Sequence, residues 1–270
     1  MIHIKDKSSI QKMAQAGSLL SDILASVEEL VKPGISTAEI DAWIESQLQK
    51  KGLISSVKGY MGYKHVSCIS VNDVVVHGVP HADCILQLGD LVKIDVCASW
   101  NGYCADMARS FFVGQSSEQA QKLVDVAYQA LKKGIDQARV GNRLSDISSA
   151  IQQEVEKHGF GVVRDFAGHG IGKNMHEEPE IVNYGKPGKG PILQEGMTFT
   201  IEPMINQGKA AVKRIKKDDW EIALTKDRML SAQWEHTILV TKTGFEVLTL
   251  REEEKGIFDS LLNKNINPQG

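Results

Sequence analysis

A chain of 270 residues that is 42% hydrophobic is long enough to bury a substantial core. A formal net charge of -3, with 24% charged residues and no long run of one sign, excludes the electrostatic footprint of a nucleic-acid binder or of a membrane-surface protein. No stretch approaches the roughly 18 apolar residues of a membrane span, MIHIKDKSSI does not resemble a signal peptide, and four cysteines without a C-x-x-C pair point to reduced thiols. A cytoplasmic protein acting on small molecules or peptides is expected.

In chain order, Ile10, Met13, Gly17, Leu20, Leu24, Val27 and Val31 recur at helical spacing, and Lys32-Pro33-Gly34 ends that helix. Ser36-x-x-Glu39 is a capping-box signal for a second helix to about Lys50, with Ile40, Trp43, Ile44 and Leu48 on its apolar side. The β-branched run VNDVVVHGVP is broken by His77, which is therefore predicted at a strand end. ILQLGDLVKID then promises a strand in an apolar environment that ends in Asp95, where a lone ionised carboxylate would cost several kcal/mol.

Asn101-Gly102 between alternating apolar runs predicts a two-residue hairpin turn. With Trp100 and Tyr103 flanking it, Cys97 faces Asp106 and Asp95 faces Ala108, so Asp95 and Asp106 are diagonal neighbours on one face, within about 8 Å between Cβ atoms. The alternative partner for Asp95 is Lys93, on the same face. Downstream, Ser116-x-x-Gln119 is predicted to open a helix to about Lys133, and a further helix runs from about Ser145 to Lys157. The glycine-rich segment FAGHGIGKNMHEEP carries His169 and His176.

The chain repeats its own pattern. ILQLGDLVKID at 85–95 returns as ILQEGMTFTIE at 192–202, at an offset of 107 (202 minus 95), and the same offset aligns Gly34, Ile40, Ile44 and Gly52 with Gly141, Ile147, Ile151 and Gly159. Two similar halves, about 10–115 and 116–250, are expected to pack about an approximate two-fold axis within one catalytic domain spanning 1–270. Strands follow helices instead of alternating with them, which predicts an α+β fold with a shared, mostly antiparallel sheet covered by helices. Near the axis Asp95 meets its counterpart Glu202, and the last strand, SAQWEHTILV, adds Glu235, while alternation turns His236 to the other face. Four carboxylates in one pocket need roughly four positive charges, which two divalent cations supply. His169 could complete their shell through a ring nitrogen.

At this point the chain closely resembles the type I methionyl aminopeptidases, from about residue 8 to 250. The likeness is carried by SVNDVVVHGVP, KIDVCASWNGYCADMARSF, AGHGIGKNMHEEP, GMTFTIEPM and SAQWEHTILV. The resemblance implies the pita-bread fold and a dinuclear site in which Asp106 and Glu235 bridge the metals, Asp95 binds one, and His169 with Glu202 binds the other. It further implies removal of the N-terminal methionine from nascent proteins and peptides, by attack of a metal-bridging hydroxide on the first peptide bond. Glu202 would shuttle the proton, His176 would polarise the carbonyl, and His77 would hold the adjoining peptide nitrogen.

In similar enzymes the methionine pocket maps onto Tyr60, Tyr63, Cys68, Met175 and Trp220, with Met175 where relatives often carry an aromatic residue and Val57 where some carry cysteine. The implied ions are cobalt, manganese, iron or zinc, a choice that an oxygen-dominated ligand set leaves open. The implied partner is a nascent N-terminus, met by a monomer, and contact with the ribosome surface stays open. Two competing readings are a proline-directed peptidase of the same fold and a metal-free protein that keeps the fold for recognition alone.

Overall fold

The computed structural model describes residues 1–266; residues 267–270, the end of the expected domain, lie outside the described residues. The first helix, Lys7–Ser26, starts where Asp6 accepts a hydrogen bond from the Ser9 N–H, and its apolar stripe of Met13, Ala16, Leu20 and Leu24 is fully buried. The second, Thr37–Lys50, has the reciprocal capping box expected of Ser36 and Glu39. In the second half, Glu118–Asp136 is capped by Ser117, one residue later than the predicted Ser116, because it is the Ser117 hydroxyl that accepts the Ala120 N–H at 3.2 Å. Leu144–Glu156 follows.

The repeat in the sequence is a repeat in space. The segment before the second helix of each half bridges the segment before a sheet strand, as Ser36 with Ile85 and as Arg143 with Ile192. The Gly34 N–H donates to Leu86 O at 2.9 Å, and the Gly141 N–H donates to Leu193 O at 3.1 Å. Each member of these pairs is 107 positions from its counterpart (143 minus 36, 192 minus 85, 141 minus 34, 193 minus 86). Each half also has its own apolar cluster: Leu20, Ile40, Ile44, Val92 and Ile94 belong to the first, and Leu123, Leu131, Ile151, Phe199 and Ile238 to the second. Burying each such side chain is worth about 1.5–3 kcal/mol, so the helices are pinned to the sheet by several such residues apiece.

All strand pairings are antiparallel. The first half is built on the hairpin Leu91–Trp100 and Tyr103–Phe112, whose register is the predicted one, with Cys97 opposite Asp106 and Asp95 opposite Ala108. Asn101 and Gly102 both take positive φ, 48° and 77°, as a tight hairpin turn requires. The second half centres on a five-stranded ladder in the order Gly244–Val247, His236–Thr241, Thr198–Ile201, Ala167–Gly170, Glu177–Val182. Two three-stranded ladders complete the sheet layer, one around Met204–Asn206 and one joining Val74–Val76 to the hairpin Val212–Lys217 and Trp220–Thr225.

The halves meet where Tyr103–Phe112 runs beside the segment from Ser231 to Thr241. This seam is stitched by side chains as much as by backbone: the Glu235 N–H donates to Ala108 O at 2.9 Å, the Asp106 N–H to Thr237 Oγ1 at 2.9 Å, and the Ser110 hydroxyl to Gln233 O at 2.8 Å. The seam is the floor of the site.

Candidate metal centre

A cavity of about 630 Å³ opens over this floor and is lined by Asp95, Asp106, His169, Glu202 and Glu235 at its base. All five residues predicted as ligands are thus brought together. Asp95 lies mid-strand in Leu91–Trp100, Asp106 across the hairpin from it, and Glu202 just beyond the strand Thr198–Ile201. Glu235 occupies the break between Ser231–Gln233 and His236–Thr241, where the chain leaves one ladder and enters the other.

The electrostatics are those of a site made for cations. Asp106 and Glu235 are 5% and 1% exposed. Burial first, and then the mutual repulsion of Asp95, Asp106 and Glu202, holds Asp95, Glu202 and Glu235 well above the usual carboxylate range, and burial pushes Asp106 up to about 7. Among the described residues, the only basic side chain within 4 Å of these four acids is His169, whose Nε2 lies 3.7 Å from Asp106 Oδ2 and 3.6 Å from Glu202 Oε1. Lys93, the alternative partner for Asp95, is fully buried and instead donates to Asn72 O at 2.8 Å.

His169 is oriented as a ligand. Its Nδ1 lies 3.1 Å from Gly170 O, and because a carbonyl can only accept, Nδ1 carries the proton and Nε2 presents its lone pair to the acids. Burial pushes the imidazole pKa down to about 4, so the ring is neutral at pH 7 and adds no positive charge of its own. Glu235 Oε1 is buried without a hydrogen-bond partner, and ligand atoms of Asp106, His169 and Glu235 lie within 4.8 Å of one another. An orphaned carboxylate oxygen, a neutral imidazole and clustered acids fit a cation bound among them.

The remaining predicted residues line the same cavity. His77 terminates Val74–Val76 at φ 61°, a conformation that costs about 1–3 kcal/mol outside glycine and is found at functional sites. Its ring packs edge-on against Phe166, and burial pushes its pKa down to about 4. His176 stands at the mouth, its Nδ1 3.3 Å from Tyr60 Oη and its ring edge-on to His169 at 4.4 Å between centroids. Tyr63 and Trp220 are in ring contact at 4.6 Å, and Cys68, Met175 and Val57 complete an apolar wall.

Several residues of the site carry little or no signal in the sequence. The Thr200 hydroxyl donates to Glu202 Oε1 at 2.9 Å, and the Gln233 amide donates to Asp95 Oδ2 at 3.4 Å. Alternation along SAQWEH puts Gln233 on the same face as Glu235, a signal that would have found it. Met61 and Phe166, also at the mouth, sit in loops with no periodicity to betray them.

With this geometry in place, comparison with known proteins is informative. Residues 11–242 match metallopeptidase family M24. A methionine aminopeptidase of Clostridium acetobutylicum is 45% identical over 252 residues, 93% of this chain and 100% of that protein. The crystal structure of a methionine aminopeptidase from Thermotoga maritima superimposes with a TM-score of 0.90 at 41% identity, covering 93% of this chain and 100% of that one. A prolidase from Pyrococcus furiosus shares the fold alone, with a TM-score of 0.74 at 24% identity over 92% of this chain and 66% of its own.

Proposed function

The chain belongs to metallopeptidase family M24, and from that premise we propose that it is a methionyl aminopeptidase, a metal-dependent exopeptidase that removes the N-terminal methionine from peptides and nascent proteins. The observation that carries this reading is the set of four buried carboxylates and one neutral imidazole, without a balancing lysine or arginine among the described residues, at the base of a cavity with an apolar wall.

Two divalent ions, drawn from cobalt, manganese, iron or zinc, would be held by Asp95, Asp106, His169, Glu202 and Glu235. Bound there, they would supply a water activated for attack near neutral pH and an anchor for the substrate's free amino group. That anchor explains end-on cleavage, since a blocked or internal peptide has no such group.

The protein's own residues do the rest. Glu202 takes the proton of the attacking water and returns it to the departing amine, with the Thr200 hydroxyl fixing the orientation of its carboxylate. His176 Nδ1 lies 3.3 Å from the Tyr60 hydroxyl, and in the tautomer in which that hydroxyl donates, the proton on Nε2 faces the scissile carbonyl and stabilises the developing oxyanion. His77 holds the neighbouring peptide nitrogen. Tyr60, Tyr63, Cys68, Met175 and Trp220 enclose the methionine side chain, whose flexible thioether suits aromatic and sulfur-bearing walls.

Among the described residues, no helix is long and apolar enough to cross a membrane. We place the enzyme in the cytoplasm as a single catalytic domain and a monomer, working on N-termini as they emerge from the ribosome. The decisive assay compares a Met-Gly-Met-Met peptide, its N-acetylated form and an Ala-Pro peptide on metal-loaded enzyme. Cleavage of the first alone is expected; preference for the Xaa-Pro bond would replace this reading with a proline-directed peptidase.

A further inference from the structure

The segment ahead of the first helix reaches back to the loop that carries His176. Lys5 Nζ lies 2.8 Å from Glu177 Oε2, with the two side chains only 7% and 8% exposed, and it also donates to His3 O at 3.2 Å. Glu177 is the first residue of the strand Glu177–Val182, immediately after His176, and its other oxygen accepts the Asn174 N–H at 3.1 Å. Burial alone would raise the Glu177 pKa, but the bonds from Lys5 and Asn174 hold it below the usual range.

The pair is seated from three sides. The Lys5 N–H donates to Gly196 O at 2.8 Å, fixing the strap to the turn that leads into the strand Thr198–Ile201 and on to Glu202. Gly172 lies under the pair, where an added Cβ would run into Lys5 Cε and come within 2.7 Å of Glu177 Oε1, so a side chain there would displace the paired ends. On the opposite side, His176 meets the Tyr60 hydroxyl at 3.3 Å and the edge of the His169 ring at 4.4 Å between centroids. The loop from Ile171 to His176 is held at its start by the Ile171 N–H on Thr198 O at 3.2 Å and the Cys104 N–H on Gly172 O at 2.7 Å, and Glu177 pairs with Gly170 across the ladder; the ion pair with Lys5 is the side-chain tie next to His176.

We infer that Lys5 is a positioning residue for His176: through its buried ion pair with Glu177 it holds the histidine loop at the height where the ring reaches the scissile carbonyl. A buried pair resists loss of either partner, because the survivor is left as an uncompensated charge that must find water by displacing its own segment. Here that segment ends in His176. The inference rests on the peptidase reading for its kinetic consequence, though not for its structural one.

The test is steady-state cleavage of Met-Gly-Met-Met by metal-loaded wild type, Lys5→Met, Lys5→Arg and the double variant Lys5→Met/Glu177→Gln. It is paired with histidine ring NMR of the zinc-loaded proteins and with metal content per chain. Lys5→Met is expected to lose about 10- to 30-fold in kcat with KM within about twofold and metal content unchanged, and to shift the His176 ring signals while those of His236 stay in place. Lys5→Arg should recover most of both. The double variant, which leaves no buried charge unpaired, should fold and still lose kcat. Wild-type kcat and unmoved His176 signals in Lys5→Met would overturn the inference, as would loss of fold in every variant, which would mark Lys5 as structural. A wild type that cleaves no methionyl peptide would count against the peptidase reading, and the NMR comparison would still decide the positioning role.

Discussion

Gln233 donates to Asp95 Oδ2 at 3.4 Å from the position in the second half that Asp106 occupies in the first. Met204 faces Gln233 across its ladder as Cys97 faces Asp106 across the hairpin, and Met204 lies 107 positions from Cys97 (204 minus 97). The approximate two-fold is thus broken at the centre: one half offers an acid where the other offers an amide. Four carboxylates remain, and their mutual repulsion is the property from which the expected behaviour of the protein follows.

Removing one of them should have opposite effects on activity and on metal-free stability. Glu235→Gln relieves like-charge repulsion and gives Oε1 a neutral replacement, so the chelator-treated variant should melt a few degrees above chelator-treated wild type, about 1–2 kcal/mol. Its kcat/KM on a methionyl peptide should fall at least about 1,000-fold through lost metal affinity. Thermal melts with and without chelator, alongside kinetics, check both halves of this statement.

The same repulsion sets a pH dependence. Asp95, Asp106, Glu202 and Glu235 all have folded-state pKa values above their unfolded ones, Asp106 at about 7. Between about pH 4 and 7 these four acids therefore bind more protons in the metal-free native state than in the unfolded chain, and their contribution to stability falls as pH rises, while His77 and His169, with pKa values lowered to about 4, act in the opposite sense. Metal-loaded protein should show no such fall, since bound cations favour the ionised acids. Melting temperature against pH, with and without chelator, should give two curves that diverge towards neutral pH.

Behind the site, His236 lies on the face away from the acids, with Nδ1 2.9 Å from Thr249 Oγ1 and Nε2 3.3 Å from Glu254 Oε1. Glu254 is 1% exposed and also paired with Arg251 at 2.8 Å. Burial would raise its pKa, but His236 and Arg251 overcome that and hold it far below the usual range. Its contribution to stability is present above about pH 4.5 and is lost as pH falls below that. Glu254→Gln should cost about 3–5 kcal/mol at pH 7 by urea denaturation, and the difference from wild type should shrink in acid.

At the cavity mouth, Tyr60→Phe removes the only hydroxyl on His176 Nδ1 while leaving the aromatic wall. A loss of about 3- to 10-fold in kcat with little change in KM is expected, the cost of one hydrogen bond that orients the ring. An equal rise in KM with kcat intact would assign Tyr60 to methionine binding instead.

Much of this was legible in the sequence because the signals were local or periodic. Asn101-Gly102 fixed the hairpin register, and with it the diagonal placement of Asp95 and Asp106, to the residue. The constant offset of 107 predicted the paired helices and the equivalence of Asp95 and Glu202. The second half was harder to read, since the hairpin Val212–Lys217 and Trp220–Thr225 interrupts its repeat and Glu235 falls in a break between strands. Lys93 shares a face with Asp95 by alternation, yet its long side chain reaches Asn72 O, a choice that rests on a turn distant in sequence. The bond from Lys5 to Glu177 spans 172 positions, the whole first half and part of the second, and nothing local announces it.

The claim that the clustered acids exist to hold divalent cations is tested most directly by titrating chelator-stripped protein with manganese while following bound metal per chain and cleavage of Met-Gly-Met-Met together. Activity should be absent from the stripped protein and rise in step with occupancy, and Asp106→Asn should bind less metal and cleave correspondingly less. Full cleavage by protein shown to carry no metal would contradict it.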